Sequence, residues 1–277
     1  MDRTKPIKLA TVALAIMAGL ASQGGCGRED DADPAVDTPA AEADDQYKPE
    51  VDEGLGASVA ILVDNSGSME DRAKGDAKRK FVVAREALAT VLAATDSFVA
   101  AQPDFPINVG LYTFSSRVQT RVPVQRYNRE TLRSAIESLP EPDGGTAIGD
   151  AMAAARADLY RAGTFRKYIL VVTDGENTNG RSPESVAREI ARRSEGAVRM
   201  YFIAFDIDAG HFDFLREVRG EVMGAGNGLA LKASLDTIYR GKILAEALDA
   251  GETLPDSTRR VIPDTTRSPA SSKERLQ

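Results

Sequence analysis

The sequence predicts an α/β fold: a doubly wound, mostly parallel central sheet with one antiparallel edge strand, flanked by helices. Three observations lead to this prediction. Short apolar runs alternate with segments whose apolar residues recur at helical spacing, as in repeated strand–helix units. The 277 residues include no Trp and only 6% aromatic residues, so Val, Ile, Leu and Ala must build the core, as in parallel sheets buried on both faces. Two apolar runs end abruptly in aspartate, and open α/β sheets bind ligands beyond such strand ends.

The first half of the domain begins with a strand at 58–63, a short apolar run bounded by turn residues. A polar segment then leads into a helix at 81–94, where apolar residues recur at helical spacing. Residues 107–114 form an apolar strand. Residues 118–122 pair back with it through a Ser-Ser turn, as the antiparallel edge strand. A short helix at 130–139 ends at a proline, which cannot continue a helix.

The second half repeats the alternation of helices and strands. The predicted helices are 148–160, 183–193, 212–218 and 234–248, and the predicted strands are 168–173, 199–205 and 228–231. The first of these helices has an Ala-rich face that indicates close packing. The second has Ser182 as its N-cap and Pro183 in its first turn. The last turns its Leu and Ile residues inward and closes the domain.

Three oxygen-bearing side chains, Asp64, Ser66 and Ser68, follow the first strand at alternate positions. Alternate residues of an extended chain point to the same side, so one carboxylate and two hydroxyls converge where the strand meets its turn. Mg²⁺ and Ca²⁺ prefer oxygen ligands. The stretch therefore predicts half of a site for a hard cation.

The other half of the predicted site comes from two later stretches. Thr146 follows a Gly-Gly pair at the start of a helix and supplies a third hydroxyl. Asp174 follows the apolar strand 168–173, repeating the arrangement of a strand that ends in aspartate. In open α/β sheets, ligands bind where the strand order reverses. Two such strand ends with a Gly-Gly-Thr loop between them fit that rule.

The pattern Asp64-x-Ser66-x-Ser68, then Thr146, then Asp174 resembles the metal-ion-dependent adhesion site of the von Willebrand factor type A domain, over residues 55–250. The resemblance implies that the serines and the threonine bind the metal directly, while the aspartates often act through water. It also implies an open coordination position, to be filled by an acidic side chain of a partner protein. Mg²⁺ is the expected cation, with Mn²⁺ or Ca²⁺ as alternatives.

Two other functions remain open from the residues. A magnesium-dependent hydrolase or phosphotransferase would use Asp64 as its nucleophile, although the sequence contains no Gly-x-x-x-x-Gly-Lys-Ser/Thr loop. A structural component of an envelope assembly would use the metal only to stabilise the fold. Asp64 or Asp174 taken alone would equally fit a residue that caps a turn. The full set of five residues favours protein binding, and we expect no enzymatic activity.

The remaining segments are expected to place the domain at a bacterial cell envelope. Residues 1–26 resemble a lipoprotein signal, with a basic start, a short apolar run and a single cysteine, Cys26, which would be lipidated. Gln23 departs from the usual aliphatic residue, and cleavage near Ala21 would instead leave Cys26 as a free thiol in a secreted protein. Residues 27–54 are predicted to be an acidic, disordered linker and residues 251–277 a disordered tail.

The charge distribution argues against a nucleic-acid partner. Residues 28–53 carry a net charge of −9 and residues 1–27 a net charge of +2, so the predicted domain is close to neutral within a chain of net charge −7. No basic stripe marks a nucleic-acid surface. The predicted partners are therefore another protein and the membrane.

Overall fold

The computed structural model of the protein describes residues 53–247. The predicted signal segment 1–26 with Cys26, the predicted tail 251–277 and all but the last two residues of the predicted linker 27–54 lie outside the described residues. Within residues 53–247, no helix combines the length and the apolar character needed to cross a membrane.

Six strands form one sheet in the order β3-β2-β1-β4-β5-β6. Their bounds are Gly54–Asp64 (β1), Ile107–Phe114 (β2), Val118–Arg126 (β3), Thr164–Thr173 (β4), Val198–Phe205 (β5) and Glu221–Ala225 (β6). Only the β2–β3 pair is antiparallel. The predicted fold class is therefore confirmed, including the antiparallel edge strand.

Helices cover both faces of this sheet. The α-helices are Lys80–Ala101 (α1), Arg129–Glu137 (α2), Ile148–Arg161 (α3), Pro183–Arg193 (α4) and Gly228–Ile238 (α5). Short 3₁₀ helices span Gly67–Glu70 and Ala209–Val218, and a π-helical turn spans Tyr239–Leu244. Helices α1, α2 and α5 contribute to one apolar cluster, whereas α3, α4 and the second 3₁₀ helix contribute to the other.

The alternation of side chains along β1 separates these two clusters. Val59, Ile61 and Val63 lie in the cluster of α1, and Ala60 and Leu62 lie in the cluster of α3. Successive side chains of a strand point to opposite faces, so a continuous apolar run fills both cores. The central strand is consequently fixed from both sides, and so is the position of its last residue.

The strand order reverses between β1 and β4. From β1 the chain builds outward to β2 and β3, and it then returns to the other side of β1 to form β4. Residue Val63 pairs with Val172, so both strands end at the same level of the sheet. The reversal point is where open α/β sheets leave a crevice for ligands.

One predicted element near the carboxyl terminus is wrong, and the helix predicted after it begins earlier than expected. Residues 228–231 are not a strand but the first turn of α5, and the helix predicted for 234–248 begins at Gly228. Asn227 caps this turn by accepting a hydrogen bond from the Ala230 N–H at 2.9 Å. The last strand is β6, which periodicity missed because it is short, contains Gly224 and lies half-exposed at the sheet edge.

Other elements extend past their predicted ends. Helix α1 continues seven residues beyond residue 94, to Ala101. Thr95 and Ser97 interrupt the apolar pattern there, but both hydroxyls donate to backbone carbonyls one turn earlier, at 2.8 and 2.9 Å. A polar residue whose side chain forms a hydrogen bond with the helix backbone need not end the helix.

Candidate metal centre

The ends of β1 and β4 bring Asp64 and Asp174 to the same edge of the sheet. Asp64 is the last residue of β1, and Asp174 follows the last residue of β4. Thr173 joins the two strand ends because its hydroxyl donates to Asp64 Oδ2 at 2.5 Å. Both aspartates are buried, so the two carboxylates lie at the bottom of the crevice rather than on the surface.

Asp64 is fully buried and accepts hydrogen bonds only from uncharged donors. The Ser66 N–H donates to Oδ1 at 2.8 Å, and Thr173 donates to Oδ2. Burial raises the pKa of Asp64 to about 6, with a further contribution from the charge of Asp174, while the hydrogen bonds oppose the shift. Within residues 53–247, no lysine, arginine or histidine forms an ion pair with this carboxylate.

A chain of hydrogen bonds runs from the turn after β1 to Asp174. The Ser66 and Ser68 hydroxyls lie 3.1 Å apart, and the Ser68 hydroxyl donates to Asp174 Oδ1 at 2.7 Å. Ser66 is buried, whereas Ser68 is exposed. The predicted set therefore extends from a buried carboxylate to an accessible hydroxyl.

Thr146 reaches the same place from the loop before α3. The Gly67 N–H donates to the Gly144 carbonyl at 2.9 Å, which holds this loop against the turn after β1. Gly144 has a φ of +74°, a conformation that a residue with a side chain rarely adopts. A Cβ added to Gly175 would lie 3.7 Å from Thr146 Oγ1 and 3.9 Å from Ser68 Oγ, so both hydroxyls face Gly175.

The segment after Asp174 fixes the backbone of Thr146. The Thr146 N–H donates to the Thr178 hydroxyl at 2.9 Å, and the Thr146 carbonyl accepts from the N–H groups of Thr178 and Asn179. One turn into α3, Asp150 accepts from the Arg181 N–H at 3.2 Å. Asp150 thus binds the loop and not the crevice, as expected for a structural residue.

All five predicted ligands, Asp64, Ser66, Ser68, Thr146 and Asp174, thus surround one crevice. Sequence reasoning missed three neighbours of this set: Thr173, Lys80 and Asp206. Asp206 directly follows β5, so it repeats the strand-then-aspartate pattern and was open to detection. Lys80 carried no such signal, because it ends a polar segment that was interpreted only as the approach to a helix.

The donor types fit a hard divalent cation. Carboxylate and hydroxyl oxygens are the ligands that Mg²⁺ accepts, and the buried Asp64 carboxylate forms no ion pair with any residue from 53 to 247. Among residues 53–247 there is no cluster of three or more His, Cys, Asp or Glu side chains that would hold a metal without hydroxyl ligands. A cation at this crevice would therefore depend on Ser66, Ser68 and Thr146 beside the two aspartates.

Comparisons with known proteins agree with this architecture. The family model of the von Willebrand factor type A domain matches residues 58–224, which is more than half of the chain. Domains of this family generally serve protein–protein interaction. No curated protein matches the sequence.

Several solved structures share the fold. The PilB minor pilin from Streptococcus sanguinis is 17% identical with a TM-score of 0.55, over 70% of this chain and 63% of that protein. The SpRpn10 VWA domain is 16% identical with a TM-score of 0.53, over 66% of this chain and 95% of that domain. The conserved hypothetical protein BatB from Bacteroides thetaiotaomicron is 17% identical with a TM-score of 0.51, over 69% and 99%. The chain therefore spans less than two thirds of the minor pilin, and at these identities the likeness concerns the fold alone.

Proposed function

The chain belongs to the von Willebrand factor type A domain family, and from this premise we propose that it is a divalent-cation-dependent protein-binding module. One observation carries the proposal. The Asp64 carboxylate is buried beside a second buried carboxylate, and only neutral groups donate to it. Buried charges in proteins are normally paired or bind metals, so this arrangement favours a cation from solution.

In the proposed site, the hydroxyls of Ser66, Ser68 and Thr146 hold the cation, and Asp64 and Asp174 supply negative charge. Mg²⁺ is our first choice because it tolerates oxygen ligands and retained water, with Mn²⁺ or Ca²⁺ as alternatives. When bound, the cation would supply a Lewis-acidic position for an anionic ligand. Two carboxylates among five ligands leave that position attractive to an acidic side chain of a partner protein.

We propose binding rather than catalysis because both carboxylates are already engaged. The oxygens of Asp64 accept from the Ser66 N–H and from Thr173, and those of Asp174 accept from Ser68 and Lys80. Donors at both oxygens fix the orientation of each carboxylate, and the sequence contains no phosphate-binding loop that would serve a hydrolase or phosphotransferase. The role of Asp64 is accordingly that of a fixed charge.

The proposed location is a bacterial cell envelope, with a lipid on Cys26 as the membrane anchor or, without that lipid, secretion. The support is the sequence pattern of residues 1–26 followed by an acidic segment. Several acyl chains on one cysteine would anchor the chain firmly, whereas one chain binds a membrane only marginally.

Calorimetric titration with Mg²⁺ tests the proposal, with full-length wild type beside Thr146→Ala. We expect saturable one-site binding to the wild type and a loss of affinity of at least about tenfold in the variant, because one hydroxyl ligand is removed. Thermal unfolding in EDTA serves as the control, and the two proteins should unfold within a few degrees of each other. Absence of Mg²⁺, Mn²⁺ and Ca²⁺ binding to the wild type would refute the metal site.

A partner search then separates bridging from stabilisation. Envelope extracts are passed over the immobilised wild type with Mg²⁺ and with EDTA, and over Thr146→Ala with Mg²⁺. A protein retained only by the wild type with Mg²⁺ would support the bridging role. Retention unchanged by EDTA and by the substitution would overturn the bridging role of the metal.

A further inference from the structure

Lys80 brings a positive charge to the candidate metal centre. It is the first residue of α1, and its Nζ lies 3.1 Å from Asp174 Oδ2 and 3.3 Å from Asp206 Oδ2. Its side chain is only 10% exposed. Among the ion pairs of residues 53–247, this is the only one that reaches a predicted metal ligand, so the contact is specific to this corner of the crevice.

The contact divides the two oxygens of Asp174 between different donors. Oδ2 accepts from Lys80 Nζ, and Oδ1 accepts from the Ser68 hydroxyl at 2.7 Å. The carboxylate is therefore held in one orientation, with Oδ1 toward Ser68 and the other predicted ligands. Part of its negative charge is offset on the side that faces α1.

Asp206 fixes the lysine from the opposite side. It follows β5 and has a φ of 57°, in the left-handed region, where Asp is among the few residues that are tolerated. Its N–H donates to the Ala225 carbonyl at 2.8 Å, which holds this unusual backbone in place. Lys80 Nζ thus contacts two carboxylates, those of Asp174 and Asp206, and these contacts fix its position beside the predicted ligands.

We propose that Lys80, through its positive charge beside Asp174 Oδ2, keeps the affinity of the site for a divalent cation low. This inference rests on the proposed function, since it concerns the same metal centre. A fixed positive charge one carboxylate away from a bound cation repels it, and the repulsion is weakly screened because the side chains of Lys80 and Asp174 are 10% and 0% exposed. The cation is then held loosely by the protein alone, and an acidic ligand contributes a larger share of the binding.

Substitutions at Lys80 and Asp206 test the inference in opposite directions. In calorimetric titrations of the full-length protein, Lys80→Met should bind Mg²⁺ at least about tenfold more tightly, because the repulsion is gone while the length of the side chain is kept. Lys80→Arg should stay within about threefold of wild type, because the charge remains. Asp206→Asn should bind Mg²⁺ more weakly than wild type, because residue 206 then no longer offsets part of the positive charge of Lys80 beside Asp174.

The double variant Lys80→Met/Asp206→Asn is the charge-balanced control. It removes one positive and one negative charge, and its affinity should lie between those of the two single variants. If Lys80→Met does not fold, Asp206→Asn still tests the inference, because Mg²⁺ binding no weaker than that of the wild type would overturn it. Thermal unfolding in EDTA establishes which variants are folded before they are titrated.

The outcomes separate this inference from the proposed function. If neither wild type nor Lys80→Met binds Mg²⁺, both fail. If the wild type binds and Lys80→Met binds equally or more weakly, the affinity role of Lys80 is overturned while the metal site stands. Tighter binding by Lys80→Met, together with wild-type-like binding by Lys80→Arg, supports the inference.

Discussion

Each end of the central strands buries a charged side chain, but the two differ in whether a nearby residue supplies the opposite charge. Near the start of β4, the Lys167 side chain is fully buried, forms an ion pair with Glu53 and donates to the Thr164 carbonyl at 2.5 Å. At the end of β1, the Asp64 carboxylate is equally buried but accepts only from neutral donors. One charge has its counter-charge within the described residues, and the other does not.

This difference indicates which of the two buried charges is structural and which belongs to the candidate site. A buried ion needs an opposite charge or a metal, because desolvation costs several kcal/mol. Lys167 and Glu53 meet that need between themselves, so the amino-terminal end of β4 is complete. Asp64 is satisfied only by protonation or by a cation from solution. The candidate site is therefore the end where the protein leaves a charge unbalanced.

The largest expected effect is the loss of metal binding on Asp64→Asn. The amide keeps the size of the side chain but removes the buried charge, so the affinity for Mg²⁺ should fall at least about 100-fold. Calorimetric titration of the full-length protein measures it, with Lys167→Met as the matched substitution at the other end, expected to bind Mg²⁺ like the wild type. Equal losses in both variants would mean that the two ends do not differ in function.

The second prediction concerns the contribution of the Lys167–Glu53 ion pair to stability. Lys167→Met breaks a buried ion pair and removes the hydrogen bond to the Thr164 carbonyl, so it should lower the free energy of unfolding by about 4 kcal/mol. Urea unfolding in EDTA at pH 7 measures this loss. A change below 1 kcal/mol would contradict the view that this pair is a structural element.

The third prediction is a pH dependence that originates at the unbalanced end. Asp64 titrates near 6 when folded and near its ordinary value of 3.8 when unfolded, so the folded protein binds the proton more tightly. Without metal, stability should fall as the pH rises from about 4 to about 6, by roughly 3 kcal/mol in all. Urea unfolding in EDTA across this range should show the slope in wild type and a flatter profile in Asp64→Asn.

Glu189 provides the internal contrast for that experiment. Burial favours its protonated form, but Arg156 and Arg181 outweigh burial and lower its pKa to about 2. Its contribution to stability is therefore present above its ordinary value of 4.5 and is lost only as the pH falls from there toward 2. Glu189 affects stability mainly below pH 4, and Asp64 mainly above it. A loss of stability as the pH rises from 4 to 6 therefore identifies Asp64.

The smallest expected effect tests whether every polar group at the ligand end belongs to the site. Asn227→Ala removes the N-cap of α5, which lies after β6 at that same end, and should cost about 1 kcal/mol of unfolding free energy. Mg²⁺ affinity should not change, because the hydrogen bonds of Asn227 go to Ala230 and Leu231 and not to a predicted ligand. A weaker Mg²⁺ affinity in Asn227→Ala would extend the site to β6.

Much of the site could be predicted because its residues follow strongly patterned strands. Asp64 and Asp174 each end a continuous apolar run, and the hydroxyl residues stand at short, regular spacings from Asp64 or after a Gly-Gly pair. The fold followed from the same runs. Local pattern and tertiary position agree wherever a strand is buried on both faces.

Some of the misses come from local hydrogen bonds and others from contacts with distant residues. Residues 228–231 are as apolar as a strand, and only the cap by Asn227 and the hydrogen bond from the Gly228 N–H to Asp76 make them helical. Lys80 is buried because Asp174 and Asp206, which follow β4 and β5, form ion pairs with it. A single sequence window contains neither the aspartates nor the fold that brings them near.

The hydrogen bonds that join β1 to β4 also make the candidate site a late product of folding. Thr173 and Asp64 are 109 residues apart in the chain, and Ser68 and Asp174 are 106 apart. Contacts of such long range carry the full entropy cost of closing the intervening loop, so they form only when β2, β3 and α3 are already close to their final places. A chain synthesised only as far as the end of α3 would therefore have four of the five hydroxyl and carboxylate groups but not Asp174. Cation binding would begin only once β4 has paired with β1, so it would report that the central strands of the sheet have come together.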